Sequence, residues 1–152
     1  MNEEKEISKI ISYISRINPI GALALTVKYR VDPEVPTLAV ASYSEITYHP
    51  DFFKLTDKEK AGLMFHEVLH ITLLHPDRAR KLEDPYIANI AMDLIINYII
   101  EYEYRNYLKL PEGAITFDLP EFKKATQIKQ PREWETIELY NWILTQKTSQ
   151  KT

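Results

Sequence analysis

The chain has 152 residues with an ordinary balance of 45% apolar and 27% charged side chains, which suits one domain with a sizeable core and is short for two. A formal net charge of −3 argues against a general nucleic-acid binder, which needs a basic surface to neutralise phosphates. The absence of cysteine excludes disulfides, thiolate metal sites and cysteine nucleophiles, so any metal must be held by nitrogen and oxygen.

The first residues, Met1 to Glu6, are charged and mostly acidic, unlike a secretory signal. Ile7, Ile10, Ile11, Ile14 and Ile17 recur at helical spacing and predict an amphipathic helix over 3–18, which Asn18-Pro19 ends. From Ala22 to Val31, the residues Leu23, Leu25, Val27, Tyr29 and Val31 alternate, the pattern of a half-buried strand. A second strand is expected over Thr37 to Ser42 and a short third over Glu45 to Tyr48, closed by His49-Pro50. Strands so close in sequence favour hairpins, so the sheet should be small and mostly antiparallel.

Thr56 and Glu59 form a capping box that starts a long helix at about Asp57, and Pro76 ends it near Leu74 or His75. The densest basic run, Arg78-Ala79-Arg80-Lys81, reads as a solvated turn. Asp84 as N-cap and Pro85 at the first helical position open the next helix, which runs to about Tyr104 on an apolar stripe of Ile87, Ile90, Ala91, Leu94, Ile95, Tyr98 and Ile99. Asn89, Asp93 and Asn97 interrupt this stretch, and no apolar run reaches the roughly 20 residues of a membrane span. A cytoplasmic location is therefore the default expectation. Lys109 to Gln130 reads as loop, a last helix covers about Glu133 to Thr145, and 146–152 form a polar tail. The expected architecture is one α+β domain over residues 1–145.

The chemistry gathers on the central helices. His66 and His70 are four apart, which stacks two imidazoles one turn apart on one face, where both can reach a single ion. Zinc accepts neutral imidazole, and a catalytic zinc keeps three protein ligands plus water. Glu67 sits about 100° round the helix from His66, placed to contact a metal-bound water and take its proton. The plainer alternative is a pair of buried histidines satisfied by hydrogen bonds. The apolar surroundings, Ala61 to Phe65 and Val68, Leu69 and Ile71, make three polar groups expensive there without a cation.

The third ligand has two readings. Asp93 lies on the following helix, on a polar stripe with Tyr86, Asn89 and Asn97, and a carboxylate in so apolar a helix calls for a cation. Its plainer reading is an Asp bonded to a Tyr, Asn or Arg78. His75 is the alternative ligand, roughly 140° off the zinc face unless Pro76 lets it swing back. His49 is a further candidate, with a turn histidine as its plainer reading.

Taken as a set, these motifs resemble a known family. They are Tyr48-His49-Pro50-Asp51-Phe52-Phe53, Leu55-Thr56, His66-Glu67-Val68-Leu69-His70 with His75 and Arg78, Asp84-Pro85, and Asn89-Ile90-Ala91-Met92-Asp93 with Asn97. They are similar to the metallopeptidase domain found in front of von Willebrand A-like domains. Leu110-Pro111-Glu112-Gly113 and Trp134 to Tyr140 resemble that family's tail, so the resemblance covers about residues 20–145. The turn before Asp51 departs from it, reading His-Pro where Asn-Pro is expected.

The resemblance implies a zincin-like fold, with a small sheet packed on the His-Glu-x-x-His helix and a following helix. It implies His66, His70 and Asp93 as ligands of one zinc ion and Glu67 as the base. A peptide or protein substrate would lie along an edge strand, expected at 42–48, with Tyr86, His75, Arg78 or Tyr48 stabilising the oxyanion. Two other functions stay in view: an inactive zincin-like binding or regulatory module, and a small metal-dependent nuclease using His66, His70 and His75. The aromatic cluster Tyr98, Tyr102, Tyr104 and Tyr107 could serve a homo-oligomer or larger complex, or could simply pack the helix end.

Overall fold

The computed structural model of the protein describes residues 2–17, 19–73, 78 and 81–149. In chain order the elements are α1 (Glu3–Ser15), α2 (Pro19–Ala22), β1 (Lys28–Val31), β2 (Ala39–Ala41), β3 (Glu45–Tyr48), α3 (Asp57–Thr72), α4 (Pro85–Tyr98), α5 (Pro120–Lys123) and α6 (Thr136–Ser149). The class is α+β, as the patterning predicts. Among the described residues no helix is long and apolar enough to cross a membrane.

Asn2 caps α1 by accepting the Lys5 amide at 3.1 Å, and Ile7, Ile10 and Ile14 form the helix's buried face. The strand expected from Ala22 is shorter than predicted. Residues Leu23–Thr26 wind into a 3-10 turn, and only Lys28–Val31 pair in the sheet. The burial phase is also reversed: Ala24 is fully buried while Leu25 is 68% exposed. The cause lies just upstream. A Cβ at Gly21 would stand 1.9 Å from the Ile14 carbonyl oxygen, so the chain doubles back tightly on α1 and stays helical before it can extend.

The sheet is mixed, in the order β1-β3-β2. β2 and β3 form the expected antiparallel pair, but β1 runs parallel to β3. Chain 32–38 crosses past β3 and puts β2 on its far side. Glu45–Tyr48 is therefore the central strand, bonded on both flanks, and cannot be the edge that receives another strand. Its burial agrees: Ile46 and Tyr48 are wholly enclosed. The free edges are the outer sides of β1 and β2.

The capping box at α3 is complete, with Thr56 and Glu59 bonding each other's backbone amides. α4 begins as expected, with Asp84 accepting the Ile87 amide at 3.2 Å. It ends in a π-helical turn, Ile99–Glu103. The stretch expected to be loop carries α5 and a 3-10 turn over Lys124–Gln127. α6 starts at Thr136, later than predicted, and continues to Ser149 through part of the expected tail.

Two apolar clusters flank the centre. One joins α1, the sheet, α3 and Ile96 and Ile100 of the α4 region. The other joins the opposite face of α4, including Ala91, Met92 and Leu94, to Phe117, Phe122 and α6. α4 is thus buried on both sides, and its polar residues Asp93 and Asn97 face α3 between the clusters. The four tyrosines divide among environments. Tyr98 packs against Tyr102 with the rings tilted by 31° and meets Phe117 edge-on, whereas Tyr104 packs on Phe65.

Candidate metal centre

α3 and α4 bring His66, His70 and Asp93 together. His66 Nε2 lies 3.0 Å from Asp93 Oδ1, His70 Nε2 lies 2.9 Å from the same oxygen, and the two ring nitrogens are 3.0 Å apart. Among the described residues this is the group of histidines and acids whose ligand atoms all lie within 4.8 Å of one another. The rings meet edge to face with centroids 4.7 Å apart, as stacking by one helical turn dictates.

Both helices impose this arrangement by burial. Met64, Phe65 and Val68 anchor one side of α3, and Leu94 and Ile96 anchor α4, all fully enclosed. The polar faces left over can only point at each other. His66 is 8% exposed and Glu67 6%, so the cost of desolvating them must be met by partners inside the cluster.

The titration behaviour follows. For His66, burial disfavours the charged ring, but Asp93, Glu67 and Asn97 together outweigh it and its pKa rises. Burial pushes the Asp93 carboxyl up, yet the two imidazoles more than reverse this and hold it well below the usual carboxylate range. Burial dominates at Glu67 and raises its pKa, against the pull of both histidines and a hydrogen bond from the Ala41 amide.

The donor set fits a zinc ion. Two imidazole nitrogens and one carboxylate oxygen are ordinary zinc ligands, and ligand atoms at about 2.0–2.1 Å in a tetrahedron stand about 3.3 Å apart. The observed spacings fall just inside that value. Three electron-rich atoms this close need protons or a cation among them.

A cleft of about 300 Å³ opens beside the cluster. One wall is Thr37, Leu38 and Ala39; the other is the segment Leu110 to Ile115; His66, Glu67, Asp93 and Asn97 lie on its floor. The 110–115 wall was not foreseen as part of a site. Its only signal in the sequence was Leu110-Pro111-Glu112-Gly113, a turn signature that does not say what the turn packs against. Asn97 stands in the polar stripe and in the motif set of the resemblance, neither of which gives it a role; its buried amide bonds His66 Nδ1 at 2.6 Å and the Ile115 carbonyl at 2.7 Å.

None of the oxyanion candidates among the described residues lines the cleft. Tyr48 is wholly buried between Tyr29 and Phe52, its hydroxyl without a hydrogen-bond partner, and it does not line the cleft. Tyr86 is 71% exposed and borders a separate groove with Pro120 and Trp142. Arg78 is exposed and is not among the cleft residues. His75 lies outside the described residues. His49 caps a turn, its Nδ1 accepting the Asp51 amide at 3.0 Å, and it stands apart from the cluster.

Neither the curated proteins nor the solved structures contain a match to this chain. One family model does match, covering residues 3–151, so the chain belongs to the family described as "Putative metallopeptidase domain".

Proposed function

We propose that this protein is a zinc-dependent peptidase of the zincin type, acting on extended polypeptide. The observation that carries this reading is the convergence of His66 Nε2, His70 Nε2 and Asp93 Oδ1 beside the buried Glu67 carboxylate on the floor of an accessible cleft. A zinc ion held by the three side chains would supply Lewis acidity, polarising a carbonyl and acidifying water.

Glu67 acts as the proton carrier. Its place beside His66 on the cleft floor puts a carboxylate within reach of a water held there. It takes a proton from the attacking water as the C–O bond forms. It returns that proton to the amide nitrogen as the C–N bond breaks. The Ala41 amide keeps the carboxylate on the cleft side of α3.

The open edge of β2 is the surface suited to an extended substrate, in place of 42–48. Leu38 and Ser42 bond inward to β3, so by the antiparallel alternation Ala39 and Ala41 turn their backbone groups outward, where the Ala41 amide is already bonded to Glu67. The Ala39 carbonyl accepts the Thr37 hydroxyl at 2.8 Å, so this short edge carries limited pairing capacity. Backbone pairing of this kind selects unfolded chain over folded protein. No Lys or Arg is among the described residues lining the cleft, which disfavours a phosphodiester substrate and hence the nuclease alternative.

The test is metal analysis together with proteolysis of an unfolded protein. One zinc per chain and cleavage are expected, with Glu67→Gln keeping the zinc and losing roughly 100- to 10,000-fold in rate. Zinc binding with no turnover on any unfolded substrate would replace this reading with that of a binding module.

A further inference from the structure

We infer that Asn97 is a positioning residue with two tasks: it sets which nitrogen of His66 carries the proton, and it ties the 110–115 wall of the cleft to the ligand cluster. This rests on the metal-centre reading above for its consequence, but its geometry stands by itself.

Asn97 is 3% exposed, and both ends of its amide are used. One end lies 2.7 Å from the Ile115 carbonyl oxygen. A carbonyl can only accept, so the end facing it must be the NH2 group. The other end is then Oδ1, which can only accept, and it lies 2.6 Å from His66 Nδ1. That nitrogen must therefore carry the hydrogen. A neutral imidazole has one N–H, so His66 Nε2 is left with its lone pair directed at His70 Nε2 and Asp93 Oδ1. Reversing the amide would press two oxygens together at Ile115, and that contact alone fixes its orientation. The asymmetry of one amide thus prepares His66 as a ligand through Nε2.

The same side chain anchors one end of the cleft wall. The other end is held by α3 itself. The Lys109 amide donates to the Lys58 carbonyl at 3.1 Å, and Gly62 admits the Lys109 backbone against the helix. Between these two clamps the wall carries Gly113 at φ 86°, with nothing within 4 Å of where its Cβ would be. The wall is therefore fixed at its ends to the two ligand-bearing helices and open at its tip. A displacement of the wall at Ile115 would pull on the amide that orients His66.

Two substitutions separate the tasks. Asn97→Asp keeps an acceptor for His66 and loses the donor to Ile115. Asn97→Ala loses both. The readouts are long-range ¹⁵N NMR of the His66 ring in metal-free protein at mildly alkaline pH, zinc affinity by competition with a chromophoric chelator, and amide exchange over 110–115. The native protein should show Nδ1–H. Asn97→Asp should keep that signature and near-native zinc affinity while exchange in the wall rises. Asn97→Ala should lose the signature, bind zinc about 10- to 100-fold more weakly, and release the wall. An Nε2–H signature in the native protein overturns the proposal even if Asn97→Ala fails to fold. Native zinc affinity and ring signature in a folded Asn97→Ala overturn it as well. If the native protein binds no zinc, the metal-centre reading fails, and the metal-free ring spectrum still decides the role of Asn97.

Discussion

Gly62 sits so close to the Lys109 backbone that a Cβ on it would stand 2.2 Å from the Lys109 carbonyl oxygen. Gly62 lies one turn before His66 on α3, so the contact sets both the start of the cleft wall and its spacing to the His66 face of the helix. Helix propensity alone says that Gly62→Ala should stabilise α3 by about 1 kcal/mol. The contact says the opposite, because backbone meets backbone and no rotamer change relieves it. Gly62→Ala is expected to lower stability by about 1–3 kcal/mol, seen as a clear drop in thermal midpoint. An unchanged or higher midpoint would mean that the 109–115 segment can move aside freely.

Asp93 shares one carboxylate oxygen between both imidazoles. Asp93→Asn preserves its shape and removes the charge. Zinc affinity should fall by more than the roughly 10- to 100-fold expected for the loss of an outer-shell partner. Chelator competition measures this directly. Native affinity in Asp93→Asn would leave His75 as the third ligand.

The metal-free protein should be most stable in weakly acidic solution. The depressed Asp93 pKa gives stability that is present above its unfolded value near 3.8 and lost as the pH falls through the folded value. The raised Glu67 pKa works in the other sense, its contribution being lost as the pH rises from 4.5 through its folded value. The raised His66 pKa likewise gives stability present below 6.5 and lost as the pH rises through its folded value. Thermal melts across this range should therefore show a midpoint that declines toward alkaline pH. Zinc should reverse the alkaline decline, because it replaces protons within the cluster. A midpoint that rises steadily into alkaline pH without metal would contradict the coupling.

Thr56 caps the helix that carries the motif, its hydroxyl accepting the Glu59 amide at 3.3 Å while Glu59 returns a bond at 3.1 Å. Thr56→Ala should cost about 1 kcal/mol in denaturant unfolding, and Thr56→Ser should restore most of it. Equal losses in both variants would assign the effect to the Thr methyl group instead of the cap.

Much of the helical framework was legible from local chemistry. The caps of α3 and α4 depend on residues three apart, such as Thr56 with Glu59 and Asp84 with Ile87, and those relations survive any tertiary arrangement. His66 and His70 share a face for the same reason. The meeting of Asp93 with them was foreseen from the oddity of a carboxylate on an apolar helix. Its distance from His66 and His70 depended on how α3 and α4 pack.

Where the reading missed, contacts distant in sequence had overridden local pattern. Leu23 and Leu25 alternate like a strand, but Gly21 against Ile14 kept that stretch helical. Residues 42–48 read as an edge because strand order is not written in the strands themselves. It depends on the 32–38 crossover that places β2 beyond β3.

By itself the sequence determined an α+β chain, its two capped central helices, and a His-Glu-x-x-His face that calls for a cation, because spacing and capping act within a few residues. Only the tertiary structure decided the mixed sheet with its edge at β2, the 110–115 wall, and the Asn97 amide between His66 and Ile115. Those relations join residues 18 and 31 apart in the chain, and burial between two packed helices brings them within hydrogen-bond reach.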